Sequence, residues 1–438
     1  MIIYQVLPRL WGKGKFSDWQ APAFKHLRSL GAGAVWYTGV IRHSTGKPYV
    51  KGNIGSPYSI VDYYDVNPYL ADEPERRMEE FKELLERSRK AGMKVIIDYV
   101  PNHVSPDCKN IPVHDFFDYD WEDTLKIDYS KRETWDIMLE IALFWASLGV
   151  DGFRCDMVEL VPQEFLKWLI SSVKKAYPSF IFIGEAYEKS NYYKFIRELG
   201  FDYLYDKSGF YDIVRDVICG GRSARELSYN WQELGGLQGN MLNFLENHDE
   251  QRIASSAFAG SPQKAYAALT FGALFNNASF MLYAGQELGE SAENGADGIT
   301  SIFDSVSVPA LKQLTDSFNT GKRLPMKESR VLSRYKKILS YVRKFEGLFN
   351  WDLCYCQPEG SGFNPDRHFV FLRYGPKGAW LVFCNFSDEP ANVNILIPEE
   401  LKRHISVLVK GGNANVIKET DAPIAISAKA CDSAIISM

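Results

Sequence analysis

The chain has 438 residues, of which 46% are hydrophobic, 24% charged and 14% aromatic, and its formal net charge is −5. This length predicts more than one domain, and the composition is typical of a soluble globular protein. The negative charge and the scattered lysines and arginines argue against nucleic acid or an anionic membrane as the main partner. No apolar run approaches the roughly 20 residues that a membrane-spanning helix needs.

The amino terminus and the cysteines both bear on the compartment. Residues 1–8 lack the charged segment and the following apolar segment of a secretory signal peptide. We therefore expect a cytoplasmic protein, unless a signal has been removed. Of the seven cysteines only Cys354 and Cys356 are close in sequence, and their spacing fits neither a CxxC redox motif nor a zinc pair. Free thiols are the better interpretation, in agreement with a reducing compartment. The sequence makes no prediction about the oligomeric state.

Short apolar strand patterns alternate with longer helical patterns through residues 1–350. The predicted strands are Ile2–Leu7, Ala34–Tyr37, Lys94–Val100, Gly152–Cys155, Phe180–Gly184, Tyr203–Tyr205, Met241–Leu245 and Ser279–Tyr283. Helical patterns between them include Pro74–Ala91, Lys131–Leu148 and Pro162–Ala176. This alternation predicts a (β/α)8 TIM barrel, an α/β fold, over residues 1–350. A doubly wound open sheet is the alternative, and it is less favoured because no glycine-rich phosphate loop follows an early strand.

Two stretches depart from this alternation. Residues 104–130 form an irregular stretch that is too long for an ordinary βα loop, and they predict a short inserted subdomain after the third strand. A helical pattern at Arg330–Phe349 closes the barrel. Four strands are then predicted without helices between them, at His368–Tyr374, Ala379–Phe386, Asn392–Ile397 and His404–Val409. They predict a C-terminal antiparallel β-sandwich over residues 351–438.

Acidic residues stand at the ends of four predicted strands: Asp98, Asp156, Glu185 and Asp249. In a parallel barrel the carboxyl ends of the strands converge on the face where active sites are built. Any one of these acids could equally be a helix N-cap, but four of them at strand ends indicate a site. Paired carboxylates suit glycoside hydrolysis, because one attacks or stabilises the anomeric carbon while the other donates a proton to the leaving oxygen.

The neighbours of two acids predict different roles for them. Arg154 lies two residues before Asp156, so on a strand both side chains point to one face, and the guanidinium would keep Asp156 ionised as a nucleophile requires. Glu185 follows four apolar residues and a glycine and has no basic residue nearby in sequence. Burial would raise its pKa, which suits a proton donor. His103 and His248 each follow an asparagine beside these strand ends. A lone histidine is more often structural, but two in this setting are expected to donate hydrogen bonds to sugar hydroxyls.

Four segments resemble, in the right order, the signature regions of the α-amylase superfamily: Asp98-Tyr-Val-Pro-Asn-His103, Gly152-Phe-Arg-Cys-Asp156, Gly184-Glu185-Ala186 and Phe244-Leu-Glu-Asn-His-Asp249. The segment from Gly55 to Tyr64 is similar to the one whose tyrosine, here Tyr58, stacks on the sugar at the cleavage point. The resemblance spans nearly the whole chain.

This resemblance implies a retaining hydrolase of α-1,4-glucosidic bonds in starch, glycogen or maltooligosaccharides. Asp156 matches the nucleophile, Glu185 the acid/base and Asp249 the acid that stabilises the oxocarbenium-like transition state. The residues expected to bind substrate, or in the case of Asp98 to support those that do, are Tyr58, Asp98, His103, Arg154, His248 and Arg252. The expected partner is an α-glucan or maltooligosaccharide.

Calcium is the one cofactor that the resemblance to the α-amylase superfamily suggests. Asn102 matches a calcium ligand of the superfamily. Many calcium-dependent amylases, however, carry a Lys-His pair where Glu159 and Leu160 stand, and the insert is short for the domain that helps to hold the ion. A hard cation takes six to eight oxygen ligands. We therefore expect no required cofactor and no calcium at the usual site, although a calcium contact at Asn102 stays open.

Several related activities remain as alternatives. An α-glucosidase, a cyclomaltodextrinase or neopullulanase and a transglycosylase differ from an α-amylase only in the loops around one site. A remote alternative is a non-catalytic sugar-binding or transporter-partner homologue, which is expected to have lost the acids. The short insert predicts an open groove, cleavage of longer glucans and little action on maltose. The candidate stacking platforms along that groove are Trp36, Tyr58, Tyr187 and Trp231.

Overall fold

The fold was analysed in a computed structural model that describes residues 1–118, 121–295, 297–409 and 422–438, with the backbone alone for 116–118. Its centre is a closed barrel of eight strands. In chain order these are Ile2–Val6, Ala32–Tyr37, Lys94–Tyr99, Gly152–Cys155, Ile181–Gly184, Tyr203–Tyr205, Met241–Phe244 and Ser279–Tyr283. The first strand pairs in parallel with both the second and the eighth, which closes the barrel. The predicted (β/α)8 barrel is confirmed.

The barrel strands bury both of their faces, because successive side chains point alternately inward and outward. The inward set forms a separate core that includes Ile3, Trp36, Ile96 and Phe244. The outward set packs against the surrounding helices, as Val35 and Tyr37 do. This double burial explains why the strands appear in the sequence as almost continuous apolar runs.

Helices surround the barrel at Ala21–Ser29, Arg77–Lys90, Arg132–Leu148, Gln163–Ala176, Tyr192–Lys194, Asp212–Ile218, Arg225–Leu234, Ala265–Leu274, Pro309–Thr320 and Met326–Phe345. The helix Arg132–Leu148 ends at Gly149, whose φ of 100° is a left-handed cap that glycine adopts without a side-chain clash. Every residue of Ala265–Leu274 is buried, because that helix lies between the barrel and the C-terminal sheet. Within the described ranges no helix is long and apolar enough to cross a bilayer.

Two small antiparallel sheets rise from the carboxyl face of the barrel. A hairpin of Ile41–His43 and Ile60–Val66 follows the second barrel strand. His103–Val104, Val113–Asp118 and Trp121–Ile127 form a three-stranded sheet after the third. The prolines and aspartates of the insert had indicated an irregular stretch. The structure instead forms three short strands there. The aromatic and β-branched residues of the insert are frequent enough to form short strands.

The C-terminal part contains a four-stranded antiparallel sheet of Phe349–Asp352, His368–Gly375, Gly378–Asn385 and Ser433–Ser437. A second sheet of two strands, Ala391–Ile395 and Ile424–Ala428, packs against it. Val370, Leu381, Val393 and Ile426 contribute to the core between the two sheets. The predicted C-terminal β-sandwich is confirmed.

One predicted strand of this part is wrong. Residues assigned to a strand at His404–Val409 belong to a helix, Glu399–Val409. Its buried side chains are Leu401, Ile405 and Val409, which recur every four residues as on one face of a helix. The alternation of apolar and polar residues within the last turns had imitated the period of a strand.

Candidate active site

Three of the four predicted acids line one cleft of about 280 Å³ at the carboxyl face of the barrel. Asp156 directly follows the fourth strand and Glu185 the fifth, and these strands are paired neighbours. Asp249 lies in the loop after the seventh strand. Aromatic rings complete much of the lining, from Tyr58, Trp121, Tyr187 and Phe303. Asp98 lies below this lining, buried within the third strand.

Arg154 joins two of the acids. One of its guanidinium nitrogens donates a hydrogen bond to Asp156 Oδ1, and Nη2 lies 2.6 Å from Glu185 Oε1. The guanidinium is fully buried and lies over the ring of Tyr58, 5.3 Å from its centroid. The contact with Asp156 agrees with the sequence prediction. The contact with Glu185 was not predicted, because it crosses to the neighbouring strand.

Burial and mutual repulsion both act on the bridged carboxyls. Burial raises the pKa of Asp156, and the Arg154 guanidinium opposes that rise. Burial also raises the pKa of Glu185; Arg154 lowers it, and the charge of Asp156 raises it again. Two carboxylates so close disfavour each other's ionisation, which favours a pair with one ionised and one protonated carboxyl over a pair with both ionised. Nucleophilic attack and proton donation require this combination.

A chain of hydrogen bonds fixes the proton on His248. The side-chain amide nitrogen of Gln5 lies 2.7 Å from His248 Nδ1. An amide nitrogen only donates, so Nδ1 accepts and the proton sits on Nε2. Burial holds the pKa of His248 well below its usual range, so the ring is neutral. Its Nε2 faces the hydroxyl of Tyr58 and lies 3.1 Å from Asp249 Oδ2.

Asp98 anchors Tyr58 from below. The Tyr58 hydroxyl donates to Asp98 Oδ1 at 3.3 Å, and the N–H of Gly39 donates to Oδ2 at 2.8 Å. Burial raises the pKa of Asp98 to about 6, and Arg154 opposes the rise. Asp98 thus supports the cleft and does not line it.

His103 lies at the cleft beside the insert. Its Nε2 is 4.0 Å from Asp156 Oδ2, and its ring meets the edge of Trp121 at 5.3 Å. The amide nitrogen of Asn102 lies 3.2 Å from His103 Nδ1. In the part of the chain that the structure describes, no three His, Cys, Asp or Glu side chains are grouped to hold a metal. The expectations about calcium at Asn102 stay predictions.

Three predicted cleft residues lie elsewhere. Arg252 is 1% exposed, and its Nη1 donates to Glu246 Oε2 at 3.0 Å and to the carbonyl of Ala284 at 2.9 Å. The guanidinium therefore points into the protein and away from the cleft lining, and its contact with substrate stays a prediction. Trp36 is buried inside the barrel, where the edge of its ring meets His248. Trp231 packs against a helix on the outside of the barrel and lines a different groove.

Met157 and Tyr187 hold Glu185 in place, and the sequence had predicted neither contact. The N–H of Met157 donates to Glu185 Oε2 at 2.8 Å, and the Tyr187 hydroxyl donates to Oε1 at 2.7 Å. Met157 has a φ of 44°, a left-handed conformation that is strained for a residue with a side chain. Tyr187 had been considered only as a stacking platform. No sequence pattern marks either contact.

Glu159 organises the loop that follows Glu185. Its carboxylate accepts the N–H of Tyr187 at 2.9 Å and that of Glu188 at 3.2 Å, and it accepts the Asn191 amide at 2.9 Å. The departure of Glu159 from the superfamily pattern was the signal available in the sequence. Glu159 accepts hydrogen bonds from backbone and amide donors here, a role that a lysine side chain could not take because it only donates.

The insert forms part of the cleft wall despite its length. Asp123 and Thr124 line the cleft, and Lys51 Nζ from the loop before the hairpin's second strand lies 3.3 Å from Asp123 Oδ1. The hydroxyl of Ser59 also donates to the Asp123 carbonyl at 2.6 Å. These contacts join the hairpin and the insert into one continuous wall.

The chain matches the family model for the α-amylase catalytic domain over residues 21–117 and 112–329, which is more than half of its length. It is 25% identical to a cyclomaltodextrinase of Thermoanaerobacter pseudethanolicus over 438 residues, covering 90% of this chain and 68% of that one. It is 25% identical to α-amylase 2 of Dictyoglomus thermophilum over 295 residues, covering 60% and 48%. The chain spans between 32% and 48% of the length of the first curated relatives that it matches.

Similarity to solved structures extends over the whole chain. The maltogenic α-amylase AmyB of Thermotoga neapolitana superposes with a TM-score of 0.71 at 23% identity, covering 100% of this chain and 96% of that one. At this identity the match shows a shared fold. The family model, the ordered motifs and the cleft geometry lead to one conclusion: the chain belongs to the α-amylase family.

Proposed function

We propose that this protein is a retaining glycoside hydrolase that cleaves α-1,4-glucosidic bonds in α-glucans or maltooligosaccharides. The observation that carries the proposal is the buried Arg154 bridge between Asp156 and Glu185. An inverting enzyme keeps its carboxyls about 6.5–9.5 Å apart to leave room for a water molecule, whereas a retaining enzyme keeps them at about 5–5.5 Å. Two carboxyls held by one guanidinium support the shorter, retaining spacing.

In the first half of the proposed reaction the Asp156 carboxylate attacks the anomeric carbon. The bond to the leaving oxygen breaks, and that oxygen takes the proton of Glu185. In the second half water attacks the same carbon, Glu185 removes a proton from the water, and the bond to Asp156 breaks. Each half inverts the anomeric centre, so the product keeps the α configuration.

The remaining cleft residues fit the binding of the reacting sugar. Neutral His248 is buried behind the cleft, where its Nε2 faces the Tyr58 hydroxyl and Asp249, so it helps to hold these two lining residues in place for the sugar. The ring of Tyr58 offers a flat apolar face beside the acids. Asp249 lies beside His248 with its side chain 40% exposed at the cleft, and a positive charge developing on the sugar would favour its ionised form.

Hydrolysis of cyclomaltodextrins is a second candidate, because the similarity to a cyclomaltodextrinase extends over 90% of the chain. The continuous wall made by Lys51 and Asp123 restricts the cleft on the insert side. An open groove and a preference for long glucans therefore remain predictions that product analysis must decide.

Two measurements test the proposal. NMR of the first-formed product should give the α-anomer, and an initial β-anomer would refute the roles of Asp156 and Glu185. Time-resolved products from starch, pullulan, cyclodextrin and maltose then assign the substrate. Short maltooligosaccharides from starch support the α-amylase assignment. Preferred opening of cyclodextrin supports the second candidate, and glucose released from maltose as the best substrate supports an α-glucosidase.

We also propose that the protein works in the cytoplasm, supported by its seven free cysteines. Thiol titration of the protein, alkylated as its cells are lysed, should find all of them reduced. Disulfides in the isolated protein would contradict this location.

A further inference from the structure

A second concave surface lies on the outside of the barrel, between the helix Arg225–Leu234 and the strand Phe349–Asp352 of the C-terminal part. It has a volume of about 340 Å³. Four aromatic side chains line it: Tyr229, Trp231, Trp351 and Tyr355. We call it the aromatic groove. Among the described residues its lining shares no member with the lining of the catalytic cleft.

The rings of the aromatic groove are exposed and yet held in place. Trp351 is 40% exposed, Tyr229 57% and Tyr355 70%. The indole N–H of Trp351 donates to the Tyr355 hydroxyl at 3.2 Å, which fixes the two rings relative to each other. Trp231 lies deeper. Clustered exposed rings on a soluble protein mark a binding surface more often than scattered single ones do. Rings that are already oriented lose little conformational entropy when a ligand binds.

The charged groups of the groove are compensated by the protein itself. The Asp352 carboxylate accepts hydrogen bonds from the Ser228 hydroxyl and from the N–H of Cys354 at 2.8 Å. Arg225 Nε donates to Asp366 Oδ1 at 3.3 Å. The groove therefore offers flat apolar faces together with hydroxyl and amide groups, and its charged side chains already have hydrogen-bond partners within the protein. An uncharged ligand with apolar faces and hydroxyl edges, such as a sugar chain, matches this surface.

We propose that the aromatic groove binds a segment of an α-glucan chain, separately from the catalytic cleft. The inference rests on the proposed function, because the ligand is the same polymer that the cleft would cleave. A polymer long enough to reach from the groove to the cleft is held on the enzyme, so its effective concentration at the cleft rises without any new contact at the acids. Short oligosaccharides, which cannot reach both sites, gain nothing from it.

The test uses the full chain with Trp351→Ala and Tyr355→Ala combined. Native electrophoresis in gels containing glycogen measures binding, with Asp156→Asn added to every protein so that glycogen is not degraded. We expect glycogen retention to weaken by at least about tenfold, the effect of losing about 1.4 kcal/mol of binding. In the active background, kcat/KM on maltotetraose should change by less than about twofold, because the cleft is intact. Trp351→Phe, which keeps a ring, should retain binding.

Phe349→Ala is the matched control, since Phe349 is an exposed ring on the same strand but outside the groove lining. Unchanged glycogen retention in the double variant, or an equal loss in Phe349→Ala, overturns the proposal. The proposal is also overturned if the double variant changes its sedimentation coefficient but not its glycogen retention. The aromatic groove would then be a contact between two copies of the chain. If glycogen retention depends on the groove but no α-glucan is hydrolysed, the groove stands and the proposed function fails.

Discussion

Two arginine–carboxylate clusters stand at the carboxyl ends of the barrel strands. In one, Arg154 bridges Asp156 and Glu185; in the other, Arg252 pairs with Glu246. Both guanidiniums are buried, and burial raises the pKa of the carboxyls in both, in Glu246 to about 7. The two clusters differ in whether their carboxyls face a cleft or the protein interior. The first cluster lines a cleft, whereas Glu246 Oε1 accepts the N–H of Ile253 at 2.9 Å inside the protein.

The difference shows that burial, pairing and a raised pKa do not by themselves identify a catalytic acid. Such shifts concentrate at functional sites, but structural ion pairs produce them too. What separates the clusters is access for a ligand. The sealed Arg252–Glu246 pair instead fastens both ends of the loop that carries His248 and Asp249. One cluster should therefore govern turnover, and the other the stability of the loop.

Asp156→Asn should separate the two clusters most sharply. The substitution removes the proposed nucleophile and keeps its size, so kcat should fall by on the order of 10⁴-fold or more. Thermal unfolding should show a folded protein, because Glu185 still balances Arg154. Steady-state kinetics on maltooligosaccharides, beside a melting curve, make the measurement. Full activity in this variant would mean that the wrong carboxylate is assigned as nucleophile.

Arg252→Met should act on stability. Breaking a buried ion pair leaves the Glu246 carboxyl without its partner and should lower the free energy of unfolding by about 3–5 kcal/mol. Urea unfolding measures the loss. Turnover, assayed where the variant is still folded, should fall far less than in Asp156→Asn. An unchanged unfolding midpoint with weakened binding of maltooligosaccharide would instead restore Arg252 to the substrate site.

Tyr187→Phe should shift the pH profile. The hydroxyl donates to Glu185 and favours its ionised form, so its removal raises the pKa of Glu185. Glu185 then keeps its proton to higher pH, and the basic limb of kcat/KM should move upward by about one pH unit, equivalent to 1.36 kcal/mol. Tyr193→Phe, at an exposed tyrosine of the helix Tyr192–Lys194 that follows the loop of Tyr187, is the control. A downward shift, or the same shift in both variants, would contradict this account.

Chelation should have the smallest effect. Near Asn102, the Lys131 ammonium lies 3.4 Å from Asp128 Oδ2, so this carboxylate, like Glu246, already meets a cation from the protein. We expect EDTA to leave activity and melting temperature nearly unchanged, because a ligand stabilises only the state that binds it. Differential scanning fluorimetry with EDTA and then calcium makes the test. A drop in melting temperature that calcium restores would show a bound ion.

The sequence predicted those features that depend on residues close together in the chain. Gly152–Cys155 and Ser279–Tyr283 were predicted with the bounds that the structure gives, because buried parallel strands are apolar throughout. The positions of the acids after their strands were equally visible. His404–Val409 was misread because a short amphipathic segment fits both the strand period and the helix period.

What the sequence could not predict depends on pairing between distant segments. The contact of Arg154 with Glu185 requires the register in which Arg154 pairs with Ile183. The direction of Arg252 depends on a buried partner, and on the ring of Tyr283 that the guanidinium covers at 3.9 Å. Trp231 lies in the helix Arg225–Leu234 and packs against Phe275 on the outside of the barrel. In each case the residue type was informative and its direction was not.

The left-handed backbone at Met157 carries a consequence for engineering. A residue with a side chain costs about 1–3 kcal/mol in a sparsely populated backbone region. The chain accepts that cost directly after Asp156, where the same turn delivers an N–H to Glu185. Selection for heat resistance alone would favour asparagine or glycine here, because both tolerate this conformation better. A variant so obtained would gain stability at the expense of activity, because a looser turn positions Glu185, the proposed proton donor, less firmly.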